Sequence, residues 1–198
     1  LGDVYKRQVE DQGDAFGDLG TLLILIVILV YIVMATQFES LKFPFIIMFT
    51  IPFAFTGVFL ALWMTSTPLS LIALIGAIML VGIVTKNGIV MVDYMNLLIE
   101  RGSGVFDAVI AGGKSRLRPV LMTSFTTILG MLPLAIGTGA GSETWQPMGI
   151  AVIGGLTFST ILTLFIVPVL YSILVNRSQR KEREKLARLS AEHQASKH

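Results

Sequence analysis

Apolar residues in this chain come in long blocks rather than at alternate positions. Leu19 to Phe38 runs 20 residues without a formal charge, and Phe43 to Thr85 runs 43. A helix rises about 1.5 Å per residue, so about 20 apolar residues cross some 30 Å of hydrocarbon. The first block therefore predicts one span. The second is too long for one span and too short for three, and Thr65 to Pro68 divides it, with Pro68 at a helix start and Thr67 as its cap. The spans expected are about 19–38, 44–64, 69–97, 117–136 and 147–175, which makes the fold class all-α, a polytopic membrane bundle of five transmembrane helices. Pro44 suits the first turn of the second span, Pro52 predicts a kink in it, Pro133 an end to the fourth, Pro147 lies near the start of the fifth and Pro168 bends it. Residues 100–119 read as a polar connection in which Val105, Phe106, Val109 and Ile110 form a short amphipathic piece suited to a membrane surface.

The ends read differently. Residues 1–8, LGDVYKRQ, are unlike the rest of the chain and are set aside as a scar; with no initiator Met, the chain reads as a fragment of a longer one. Residues 9–18 are acidic and polar, a connection from an upstream periplasmic region, and 176–198 form a charged, solvated tail. Composition agrees: 54% of residues are hydrophobic and 14% charged, against about 25% charged in soluble domains. There is no Cys, and both His residues, His193 and His198, sit in the tail. Thiolate metal sites, Cys nucleophiles and imidazole acid–base chemistry at membrane depth are thereby excluded, and an intramembrane enzyme finds no catalytic set. No cofactor motif or phosphate-binding loop is present, and no nucleic-acid partner is expected.

Charge placement sets the orientation. The loops at 39–42 and 100–118 and the tail carry Lys42, Arg101, Lys114, Arg116, Arg118 and seven further Lys or Arg, while the loops at 65–68 and 137–146 carry none. The positive-inside rule puts the carboxy terminus in the cytoplasm and the amino-terminal segment outside, and it places Trp63 and Trp145 at the outer interface. Ala151, Gly155, Ser159 and Thr163 make a small-residue stripe on the fifth span, and Ala73, Ala77, Gly82 and Gly88 offer a similar set on the third; both suit helix contacts, and both are also common in membrane helices generally.

Candidate chemistry begins with Lys86, which follows the 43 uncharged residues inside a run that is still apolar. A charged side chain at bilayer depth costs about 3 kcal/mol on insertion scales, so it asks for a partner. Asp93 lies about 10 Å along the axis, too far for a straight helix to bring to it. Counting from the span ends puts Lys86 about 7 Å and Thr123 about 9 Å from the cytoplasmic edge, with Arg116 two turns before Thr123 and Asn87 beside Lys86. A second reading stands alongside: Lys86 snorkels to the inner headgroups, Arg116 and Arg118 anchor there and pair with Asp93, and Thr123 bonds back to its own helix.

The stretches GIVTKNGIVMVDY at 82–94 and RLRPVLMTSFTTILGMLPLAIGTGAGSE at 116–143, with QFESLKFPFIIMFTIPFAFTGV at 37–58 and VPVLYSILV at 167–175, resemble the resistance-nodulation-division (RND) efflux transporters, in particular the bacterial multidrug branch. The resemblance runs from about Phe16 to Val175. It implies the last five of twelve transmembrane helices of a multi-pass inner-membrane pump that exports drugs or other amphiphilic compounds in exchange for protons. It further implies a proton relay of Lys86, Arg116 and Thr123, with Asn87 beside Lys86 and a pair of aspartates on a helix of the other half as the missing counter-charge. The implied partners are two further copies in a homotrimer, a periplasmic adaptor, an outer-membrane channel, membrane lipids and protons. Alternatives are another RND branch handling metals, lipids or protein export, or a non-transport structural subunit; a metal exporter is disfavoured because Met79, Met91 and Met122 form no ladder.

Overall fold

The computed structural model describes residues 2–137, 139 and 141–195, with side chains at 6–7, 9–137, 139 and 141–177. Among the described residues there are six helices and no strand: α1 Gly2–Phe38, α2 Lys42–Met48, α3 Thr50–Met64, α4 Leu71–Glu100, α5 Val105–Ile136 and α6 Ser142–Ala195. Five segments are long and apolar enough to cross a membrane: Val9–Phe38, Lys42–Met64, Leu71–Glu100, Val105–Ile136 and Ser142–Arg177. The all-α bundle of five spans is thus the fold observed. The side chains of the basic tail beyond residue 177, and of most of residues 1–8, lie outside the described residues.

The joints differ from expectation in instructive ways. The second span is two helices separated at Phe49. Pro52 cannot donate to the carbonyl four residues back, that of Met48, and its ring crowds it; Thr50 Oγ1 instead donates to the Ile47 carbonyl at 2.6 Å. The cap of α4 is Ser70, extended at φ −107° and ψ 165°, whose side chain accepts from the Ala73 N–H at 3.2 Å; Thr67 bonds within the preceding turn. Residues 105–110 make no separate surface piece. They are the first turns of α5, because Val105, Ala108 and Gly112 are buried, and a Cβ on Gly112 would stand 2.6 Å from Met95 Cγ of α4. Pro133 lies inside α5, which runs on to Ile136 and ends where Gly137, at φ 72°, donates its N–H back to the Pro133 carbonyl. Residues 9–18 continue α1 without a break.

Helix α6 is the hub: it packs against α2, α3, α4 and α5, whereas α1 joins the bundle through α2 and α4. The α3–α6 approach is nearly backbone to backbone, since a Cβ on Gly57 would lie 2.5 Å from Phe158 Cβ and 2.8 Å from the Gly154 carbonyl. Such contact suits a medium in which dispersion replaces the hydrophobic drive. The α6 stripe Ala151, Gly155, Ser159 and Thr163 is buried throughout. On α4, Ala73, Ala77 and Gly88 are buried, but Gly82 is exposed on the open side of the helix.

Two apolar clusters fill the bundle. One joins Val58 and Leu62 of α3, Ala77 and Leu80 of α4, and Ala151 and Leu156 of α6. The other joins Met34, Ile46 and Ile47 to Met91, Met95 and Tyr171, with Phe43 stacked on Tyr171 at 5.6 Å between ring centroids. Between α5 and α6 the buried hydroxyls of Ser124 and Thr160 bond at 2.9 Å.

Candidate functional site

Helix α4 has two faces. Ala73, Ala77, Leu80, Val84, Met91 and Met95 are buried against the bundle. Ile75, Met79, Gly82, Lys86, Asp93, Leu97 and Glu100 are exposed, each three, four or seven residues from the next, so they form one open stripe along the helix. Lys86 stands on that stripe. No hydrogen bond or ion pair reaches it among the described residues. Asn87, adjacent in sequence, turns about 100° round the helix onto the packed face and is buried, next to Gly88, where a Cβ would press 2.8 Å from Ile47 Cγ2. The structure therefore puts Lys86 and Asn87 on different sides of α4.

The contact of Met95 with Gly112 fixes the register of α4 against α5. Lys86 lies nine residues back from Met95 and Thr123 eleven residues on from Gly112; at about 1.5 Å per residue the two are level to about 3 Å. They share a height without sharing a hydrogen bond. Thr123 Oγ1 donates to the Pro119 carbonyl four residues back at 2.9 Å, the bond back to its own helix that the second reading of this residue expects, and the side chain lines an open groove with Pro119, Met122, Thr126 and Thr127.

Arg116 stands two turns below Thr123 on α5. Its Cζ lies 4.6 Å from the centroid of the Tyr94 ring of α4, and its Nε is buried without a hydrogen-bond partner among the described residues. No ion pair joins Asp93 to Arg116 or Arg118 among the described residues. Asp93 instead lines a polar cavity with Gln37, Glu39, Asn96 and Glu100, where the ends of α1 and α4 meet. Tyr171, buried at the hub, donates its hydroxyl to Asn96 beside that cavity. Tyr94 is silent in the sequence alone: an aromatic eight residues after a membrane lysine carries no signal until the register of the neighbouring helix is known.

A model of the AcrB/AcrD/AcrF family matches residues 3–175. The chain belongs to this family of RND transporters. Multidrug resistance protein MdtC of Erwinia tasmaniensis is 42% identical over 163 residues, which cover 82% of this chain and 16% of that protein. Cobalt-zinc-cadmium resistance protein CzcA of Cupriavidus metallidurans is 41% identical over 155 residues, covering 78% and 15%. Among solved structures, a crystal structure of a heavy metal efflux pump superposes with a TM-score of 0.78 at 32% identity, over 85% of this chain and 17% of that one. The chain spans about one sixth of the length of these AcrB/AcrD/AcrF relatives.

Proposed function

We propose that this chain is the carboxy-terminal membrane part of a proton-driven RND efflux pump of the bacterial inner membrane, exporting drugs or other amphiphilic compounds, and that Lys86, Arg116 and Thr123 are its share of the proton relay. The observation that carries the reading is Lys86 on the open stripe of α4, unpaired among the described residues and level with Thr123 of α5. A cation so placed favours an ionised carboxylate brought by helices outside this chain, for which the family resemblance offers two aspartates. Protonation of those carboxylates removes the attraction, so Lys86 and Thr123 rearrange. Rigid helices then carry the rearrangement to a distant substrate domain as a switch between packed states. Asn87 serves the packed side of α4. The carboxy terminus is cytoplasmic, residues 9–18 descend from the periplasmic side, and the working pump is a homotrimer coupled to a periplasmic adaptor and an outer-membrane channel.

A metal-exporting branch is the second reading, favoured by the near-equal identity to CzcA and MdtC and by the heavy metal pump fold. Both readings are tested in cells bearing the full-length transporter that contains this segment, with ethidium and Zn²⁺ efflux measured in parallel. Ethidium efflux is expected, and efflux of Zn²⁺ alone would move the protein to the metal branch. Lys86→Ala is expected to lower proton-dependent efflux at least tenfold while leaving the amount of assembled protein unchanged. Wild-type efflux from that variant would overturn the relay role.

A further inference from the structure

Arginines at the edge of a membrane usually extend toward headgroups and water, where every N–H finds an acceptor. Arg116 does not. It is half-buried, its Nε has no acceptor among the described residues, and its guanidinium lies over the Tyr94 ring of the neighbouring helix, 4.6 Å from the centroid. The nearest carboxylate in sequence to that ring, Asp93, faces the cavity shared with Glu39 and Glu100 instead. An aromatic face attracts a cation through its quadrupole, and a flat guanidinium stacked on it keeps its in-plane N–H groups free to donate sideways.

We propose that Tyr94 is a positioning residue for Arg116. Its ring, delivered by α4, holds the α5 guanidinium at the inner end of the open α4–α5 face, so that the terminal Nη donors, unlike the covered Nε, stay available to an anionic acceptor supplied from outside this chain. The inference rests on the relay reading of Arg116. It adds a contact that bridges the two helices carrying the relay: Tyr94 lies eight residues below Lys86 on α4, and Arg116 seven below Thr123 on α5, so one stacking contact ties the two arms at matching distances from their relay groups. Any sliding of α4 past α5 must carry the stack along or break it. The Tyr94 hydroxyl has no part in this, because the ring face makes the contact.

The test uses the full-length transporter, with ethidium and Zn²⁺ efflux as readouts and the amount of protein in the membrane as a control. Tyr94→Phe is expected to retain efflux within about twofold, and Tyr94→Leu to lower it about tenfold, in keeping with the loss of a desolvated cation–π contact. Pentafluorophenylalanine incorporated at position 94 preserves the ring's shape and packing but reverses its quadrupole, and it is expected to behave like Leu rather than Phe. Efflux equal to that of Tyr94→Phe from the fluorinated variant would overturn the proposal, and so would wild-type efflux from Tyr94→Leu. Arg116→Ala separates this from the relay reading: full efflux from Arg116→Ala removes the relay role of Arg116, whereas a dead Arg116→Ala beside an active fluorinated variant removes Tyr94 alone.

Discussion

Helices α3, α4 and α6 differ sharply from α1 and α5 in how much of themselves they bury. In the most apolar stretches of the α2–α3 span, α4 and α6, 44%, 56% and 50% of residues are buried, against 6% and 11% in α1 and α5, although all five segments are long and apolar enough to span a bilayer. Hydropathy thus says that a helix sits in a membrane and nothing about whether it faces lipid or protein, because both neighbours are apolar. Small residues bring α6 within backbone distance of both groups, at Gly57 of α3 and, through Gly149, at Ala135 of α5; beyond that contact α5 shows large residues such as Met122, Phe125 and Leu129 outward. The relay candidates straddle the divide: Lys86 on the open side of the most buried helix, Thr123 on one of the least buried.

The contrast can be broken by substitution. The largest effect is expected at Gly57, where even a Cβ would be 2.5 Å from Phe158 Cβ. Gly57→Leu should cost upwards of about 3 kcal/mol by overpacking, seen as a several-fold fall in protease-resistant protein in membranes; normal yield would mean that α3 and α6 are not in close contact. A smaller effect is expected at Ser124, whose bond to Thr160 is a buried polar link of α5 to α6. Ser124→Ala should cost about 0.5–1 kcal/mol, read as a fall of a few degrees in the melting temperature in detergent. The smallest is expected at Leu129 on the open face, where Leu129→Ala should change stability by less than about 0.5 kcal/mol in this chain. A loss at Leu129 comparable to that at Gly57 would erase the distinction between the two groups.

The number of spans and their rough positions were legible from the apolar blocks, because chain length against bilayer thickness is a simple constraint. The levels of Lys86 and Thr123 could also be counted from the span ends. Which way each residue faces could not. Lys86 and Asn87 are adjacent letters that the helix turns to opposite environments; the seven-residue spacing of Lys86, Asp93 and Glu100 marks the open side of α4, but Ile75, Met79 and Leu97 on that side are as apolar as the packed one. Caps and joints went astray where two suitable residues competed: Thr67 and Ser70 both offer a hydroxyl, and Ser70 wins because its extended backbone aims the oxygen at the Ala73 amide. Pro133 reads as a terminator, yet α5 carries it within its last turn and closes on Gly137, whose N–H returns to the Pro133 carbonyl. The Arg116–Tyr94 contact needed the register of two helices, which packing such as that of Met95 on Gly112 supplies.

Because α6 is the common neighbour of α2, α3, α4 and α5, the order of synthesis leaves surfaces open: the four emerge from the ribosome before the helix they all lean on. Until it inserts, Gly57 of α3 and the buried hydroxyl of Ser124 have no counterpart, and the earlier helices keep only the contacts they make with one another, such as Met95 of α4 on Gly112 of α5. Assembly of this region is therefore gated by its final helix, and premature stops within α6 should hand a set of loosely associated spans to membrane quality-control proteases rather than a slightly shortened bundle.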